Sequence, residues 1–275
     1  MTKVDVRHLL KTHGLAAKKS FGQCFLHDPE VLRRIAEAAV PPGTTHVVEI
    51  GAGLGALTAS LANTRVNVVA IEKDTRLVPL LEEIFRDIEN VRIVAGDATE
   101  LAFAALVPAG VVPAMAGNLP YSVSTPLLLA LLFQRATTGP ATVMLQKEVA
   151  ARLRAKPRTK EYGSLTVLFE LLADVEHVLD VGAGAFTPAP KVDSTVIQLK
   201  WLAAPRHDVP NLPHFEKVVR AGFSQRRKTL RNALQTAFLR DQVEAAGASS
   251  GLALERRAET LSVGEFAALA KALAL

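Results

Sequence analysis

Cysteine is almost missing from this 275-residue chain: Cys24 stands alone, which excludes an intrachain disulfide and a cysteine-rich metal centre. No apolar run approaches the roughly 20 residues that a membrane helix needs. The first twenty residues lack an apolar stretch ahead of a small-residue cleavage site, and Asp5 sits among them. Both features speak against a secretory or organelle leader, so a cytoplasmic protein without membrane contact is expected. Glycine and proline stand near ordinary usage, at 17 and 15 residues, which excludes a fibrous repeat or a disordered tract. The G-x-x-x-x-G-K-[ST] phosphate loop is absent too. What is present is apolar content, 49%, over a length that suits a nucleotide-binding-sized domain and a smaller second one.

A net charge of +5 decides little by itself. Its distribution says more. Arg152, Arg154, Lys156, Arg158 and Lys160 alternate with uncharged residues, and Lys217, Arg220, Arg226, Arg227, Lys228 and Arg231 occur with no acid between them. Lys11, Lys18 and Lys19 form a third group. Basic runs are usually solvated faces; three of them point to a polyanionic partner.

Strand patterns fall at 46–50, 66–72, 91–97, 112–120 and 141–146, with helical spacing at 56–62, 75–87 and 126–133 between them. This alternation predicts an α/β fold, a mostly parallel sheet with helices on both faces. Two further strand patterns, 177–182 and 194–202, suit an edge hairpin. The Pro-rich stretch 204–214 marks a boundary, after which only helical patterns remain, near 213–223, 226–238, 240–246 and 262–273. The expected division is an N-terminal arm (1–26), a sheet domain (27–204) and a helical C-terminal domain (205–275).

Glu49-Ile-Gly51-Ala-Gly53-Leu-Gly55 lies at a strand-to-helix turn. Such a loop lets backbone approach a ligand, although many are merely tight turns. It is one residue shorter than the dinucleotide fingerprint. Glu72 closes the next strand, where an acid can hold both ribose hydroxyls, and Asp97 closes the one after. Carboxylates there can also simply cap helices, but their recurrence at successive strand ends favours a nucleoside site. With no phosphate loop, S-adenosylmethionine fits best: a nucleoside with a zwitterionic tail.

Asn118-Leu119-Pro120-Tyr121 follows the fourth strand pattern. An adenine amine is a poor nucleophile, because its lone pair is delocalised into the ring. Asn118 can accept one N6 hydrogen through its side-chain oxygen and the Leu119 carbonyl the other. Pro120 stiffens the turn, and Tyr121 offers a stacking face. The sulfonium methyl is already activated, so orientation, worth roughly 7–11 kcal/mol, can supply much of the rate without a metal. A dimethylated nitrogen has no hydrogen left to donate, so two transfers and then release are expected.

The blocks KKSFGQCFL (18–26), EIGAGLGALT (49–58), AIEKD (70–74), GDA (96–98), GNLPYSVSTP (117–126), LQKEVAARL (145–153), FTPAPKVDS (186–194) and FSQRRKTLRNAL (223–234) together resemble the small-subunit ribosomal RNA adenine dimethyltransferase family. The resemblance implies a Rossmann-like class I methyltransferase domain with a small all-helical C-terminal domain. It implies dimethylation of two adjacent adenines in the 3′-terminal hairpin loop of 16S rRNA, on a 30S assembly intermediate, by a monomer. By the same resemblance Leu26, Gly51, Gly53, Glu72, Asp97 and Asn118 contact the cofactor. Asn118, Leu119, Pro120 and Tyr121 hold the base, and Phe186 is a second aromatic wall. Arg152, Arg154, Lys156, Arg226, Arg227, Lys228 and Arg231 grip RNA, Arg227 and Arg231 sharing one helix face. Family members carry Asn or His where Cys24 stands; a thiol is a weak donor, so only a backbone contact there would be kept. The competing readings are a 23S rRNA adenine methyltransferase, a DNA adenine methyltransferase, for which no target-recognition domain is seen, and an inactive RNA-binding assembly or transcription factor.

Overall fold

The computed structural model describes residues 4–13 and 23–274; Lys18 and Lys19 lie outside them. Helix α1 (Val6–Thr12) begins at Asp5, whose carboxylate accepts from the His8 N–H. After the short strand β1 (Phe25–Leu26) comes α2 (Pro29–Ala39). Asp28 caps α2 by accepting from the Glu30 and Val31 N–H groups, and Pro29 occupies the first turn, where its missing N–H costs nothing. Leu32, Ile35, Ala36 and Ala39 recur at helical spacing and are buried.

The sheet is built from β2 (His46–Ile50), β3 (Asn67–Glu72), β4 (Val91–Ala95), β5 (Ala114–Asn118), β6 (Ala141–Gln146), β7 (Ala173–Val181) and β9 (Ser194–Trp201). The helices α3 (Ala56–Ala62), α4 (Val78–Ile84) and α5 (Ser124–Phe133) fall between the early strands, α6 (Lys147–Leu153) follows β6, and α10 (Arg240–Ser250) comes late in the chain. Strand order is β4-β3-β2-β5-β6-β9-β7. The first five strands run parallel, and β9 pairs antiparallel with β6. The central strands read as unbroken apolar runs because helices cover both faces. The order reverses between β2 and β5, and the crevice outside the strand carboxyl ends at such a switch point is where open α/β sheets bind ligands. A separate two-stranded ladder joins β1 to β8 (Phe186–Thr187).

The chain forms two compact units. The first holds the described residues up to Ala150 together with Glu176–Trp201. The second takes Ala151–Val175 and the described residues from Leu202 onward, so it is not the contiguous stretch from 205. In the second unit, α7 (Ser164–Leu172) packs with α8 (Leu212–Phe223) and α11 (Val263–Ala272). The Tyr162 hydroxyl donates to the Leu261 carbonyl at 2.8 Å, and the Tyr162 ring meets Phe223 edge-on. The helix expected over 226–238 is instead α9 (Leu230–Leu234), preceded by a turn in which the Lys228 N–H donates to the Gln225 carbonyl. Thr229, at the N-cap, ends that turn. Arg227 and Arg231 therefore do not share a helix face.

Candidate active site

The carboxyl ends of β2 to β5 open on a cavity of about 310 Å³. Gly51 and Gly53 stand at φ 78° and 59° in the loop after β2, a left-handed backbone that side-chain-bearing residues rarely adopt. A Cβ on Gly53 would also come to 3.2 Å from the Phe25 ring. Glu72, at the end of β3, is buried. Its two oxygens accept from the Gly53 and Asp74 N–H groups, each at 2.7 Å. Burial pushes this carboxyl up while the backbone donors oppose it. Glu72 thus ties the glycine loop to β3, and the Lys73 N–H is a further, weaker backbone donor to it.

Asp97 lines the same cavity. The Lys73 ammonium on its Oδ2 holds it down at about 2, and the Thr99 N–H and hydroxyl bind its Oδ1 at 2.9 and 2.7 Å. Asp97 therefore has a local turn role as well as a cavity position. Glu49 also lines the cavity and is fully buried. Thr58 donates to its Oε2 at 2.6 Å, whereas Oε1 is the one buried side-chain polar atom among the described residues with no partner. Burial pushes this carboxyl up to about 7; Thr58 opposes the rise and the neighbouring Glu72 adds to it. The motif reading passed over Glu49, although an acid inside the apolar strand His46–Ile50 was the signal.

Asn118 ends β5 and donates from Nδ2 to the Cys24 carbonyl at 3.2 Å. That bond orients the amide and leaves Oδ1 as an acceptor. The contact comes from the backbone of Cys24, whose thiol burial pushes up. Leu119 is buried and donates its N–H to the Met144 carbonyl at 3.1 Å. Pro120, at φ −58°, leads into a single 3₁₀ turn, Tyr121–Val123. The Tyr121 ring is half-buried, which raises its hydroxyl, and that hydroxyl lies 2.7 Å from the Ser194 Oγ. Gln23, Leu26 and Val6 complete one side of the cavity, and Gln23 donates to Asp74 at 3.2 Å. Of the expected amino-terminal arm, Val6 and residues 23–26 thus line the cavity.

Phe186 does not line the cavity. It is 3% exposed and packs in the hydrophobic core. The β1–β8 register sets it opposite Leu26 on one face of the ladder, and of that pair Leu26 is the one that faces the cavity. Among the described residues no cluster of His, Cys, Asp and Glu could hold a metal ion.

A model of the family described as ribosomal RNA adenine dimethylase matches residues 14–275. The chain belongs to the ribosomal RNA adenine dimethylase family. A relative from Geobacter metallireducens, named ribosomal RNA small subunit methyltransferase A, is 44% identical over 96% of this chain and 98% of its own length. One of the same name from Myxococcus xanthus is 44% identical over 97% and 94%. The crystal structure of a Plasmodium falciparum dimethyladenosine transferase superposes with a TM-score of 0.69 at 25% identity, covering 89% of this chain and 95% of that one. The 23S rRNA methyltransferase ErmE gives a TM-score of 0.64 at 29% identity, covering 91% and 100%. These two full-length likenesses fit the Rossmann-like sheet and the helical second part described above.

In this family member two of the three basic groups, 152–160 and 217–231, fall in the second unit. Arg226 donates to the Lys160 carbonyl at 3.0 Å, joining the two groups. Arg152, Arg154, Lys156, Arg226, Arg227 and Lys228 are all exposed. Arg231 differs: Glu244 and Glu255 hold its guanidinium at 2.7 and 2.8 Å. Its charge is already matched inside the unit. Among the described residues no helix is long and apolar enough to cross a membrane.

Proposed function

We propose that this chain transfers methyl groups from S-adenosylmethionine to N6 of two adjacent adenines in the 3′-terminal hairpin loop of 16S rRNA, giving N6,N6-dimethyladenosine on a 30S assembly intermediate. One observation carries the reading: the glycine loop, the two acids and the Asn118–Tyr121 turn line a single cavity. The cofactor, when bound, supplies a methyl group activated by a sulfonium. The residues suit it. Glu72 takes the ribose hydroxyls, Asp97 takes the adenine amine in competition with Lys73, and the unpartnered Glu49 Oε1 suits the ammonium of the amino-acid tail. Gly51, Gly53 and Leu26 give it a close-fitting wall.

Asn118 Oδ1 and the Leu119 carbonyl accept the two hydrogens of the target amine. This favours a pyramidal nitrogen with its lone pair free. Tyr121 stacks on the purine, and Pro120 keeps the Leu119 carbonyl aimed. Each transfer removes one hydrogen, so the dimethylated base loses its hold and leaves. Arg152, Arg154, Lys156, Arg226, Arg227 and Lys228 grip the RNA backbone. The protein acts as a cytoplasmic monomer.

The test is to incubate the purified chain and S-adenosylmethionine with undimethylated 30S particles, and to examine the 3′ fragment by mass spectrometry. Two dimethyladenosines are expected; monomethyladenosine as the sole product would defeat the two-transfer scheme. The likeness to ErmE over nearly the whole chain supports a second reading, 23S rRNA as substrate. Methylation of 50S rather than 30S precursors would select it.

A further inference from the structure

We infer that Ser194 is a positioning residue for methyl transfer: its hydroxyl holds the phenol end of Tyr121, and so fixes where the stacking ring stands. The inference rests on the proposed adenine N6 reaction and adds a residue to it. A tyrosine side chain swings about two bonds, and Tyr121 sits in a single 3₁₀ turn between β5 and α5. The brace comes from the sheet. Ser194 is fully buried at the first position of β9, cross-strand from Gln146 at the end of β6. Strand β6 also pairs with β5, where Met144 lies opposite Asn118. The Lys147 N–H donates to the Asp193 carbonyl at 3.0 Å, and the Thr195 hydroxyl donates to the Asp180 carboxylate at 2.7 Å, so the residues on both sides of Ser194 are tied down.

The 2.7 Å contact between the Tyr121 hydroxyl and Ser194 Oγ therefore measures the ring against the same sheet that carries Asn118. The group that grips the amine and the group that stacks the base are held on β5 and β9, the two strands that flank β6. The ring can still spin about its long axis; what the bond removes is the swing of that axis. Burial raises the phenol. Positioning of this kind acts on the reacting geometry rather than on cofactor affinity, since a small misplacement of a reacting group costs rate steeply.

The experiment compares Ser194→Ala, Tyr121→Phe and the double variant with wild type in steady-state methylation of undimethylated 30S particles. S-adenosylhomocysteine affinity is measured by calorimetry on each. Each single variant should lower kcat by about tenfold, the worth of one well-placed hydrogen bond. KM and S-adenosylhomocysteine affinity should change little. The double variant should be no worse than either single one, because both remove the same bond. Full kcat in Tyr121→Phe would overturn the inference even if Ser194→Ala did not fold. Multiplicative losses in the double variant, or a loss confined to KM, would overturn it as well. A wild-type chain that leaves 30S rRNA unmethylated would overturn the proposed function and this inference together, whereas an active wild type beside fully active variants would overturn the inference alone.

Discussion

At Glu49 the chain buries a carboxyl whose second oxygen has no partner among the described residues. Its folded value stands near 7 against an ordinary 4.5. Between those values the folded protein keeps a proton that the unfolded chain has lost. Stability is therefore full below about pH 4.5, falls as pH rises towards 7 and stays reduced above that. Glu49→Gln should unfold at a higher temperature than wild type at pH 8 and at the same temperature at pH 4, the gain being at most about 3 kcal/mol. The same variant should bind S-adenosylhomocysteine more weakly at pH 8, as it loses the charge that meets the ammonium. Calorimetry reads both effects, and equal stability at pH 8 would show that the carboxylate is solvated or paired. Asn118 separates two functions of one amide. Asn118→Asp keeps an acceptor but replaces the donor to the Cys24 carbonyl with oxygen, so the two repel and the acceptor is turned away. Its kcat should fall by at least about a hundredfold, as when one aimed hydrogen-bonding group of a reacting centre is lost; a mild loss in single-turnover assays would show that the Cys24 contact does not orient the amide.

At the scale of elements, the parallel strands were legible because burial on both faces writes them as continuous apolar runs; 46–50 and 141–146 coincide with β2 and β6. The reading failed where charge and helix propensity compete with capping. Gln225 to Lys228 contains good helix formers, yet all four residues are exposed and form a turn that Thr229 closes before α9 starts. It also missed α7, because Ser164 to Ala173 is a mostly apolar stretch and the helix passes directly into β7. Glu72 and Asp97 were visible as strand-end acids, but their ties to the glycine loop and to Lys73 are tertiary. So is the burial of Phe186, which follows from its register with Leu26. Capping in α11 (Val263–Ala272) gives an element-scale prediction. Ser262 and Glu265 form a reciprocal box, with the Glu265 N–H donating to Ser262 Oγ and the Ser262 N–H donating to Glu265. Ser262→Ala should cost about 1 kcal/mol in denaturant unfolding, and an unchanged midpoint would mean that packing alone sets the helix start.

For the molecule as a whole, the sheet unit carries the cavity and the helical unit carries the basic residues proposed to grip RNA. Neutralising Arg226, Arg227 and Lys228 together should weaken 30S binding and flatten its dependence on salt, each lost phosphate contact lowering the slope by about 0.7–0.9. Arg231→Gln should leave that slope as it is and lower stability instead, because it strands Glu244 and Glu255. Binding titrations across a range of salt concentrations separate the two outcomes, and a flattened slope for Arg231→Gln would return it to the interface. The helical unit is assembled from two separate stretches of chain, since residues 151–175 lie between parts of the sheet unit. A gene fragment starting near residue 205 would therefore encode helices deprived of α7 and of the Tyr162 anchor on Leu261. Cutting the gene there would yield two insoluble pieces rather than a catalyst and its RNA-binding appendage, and any exchange of this region between relatives has to carry both stretches.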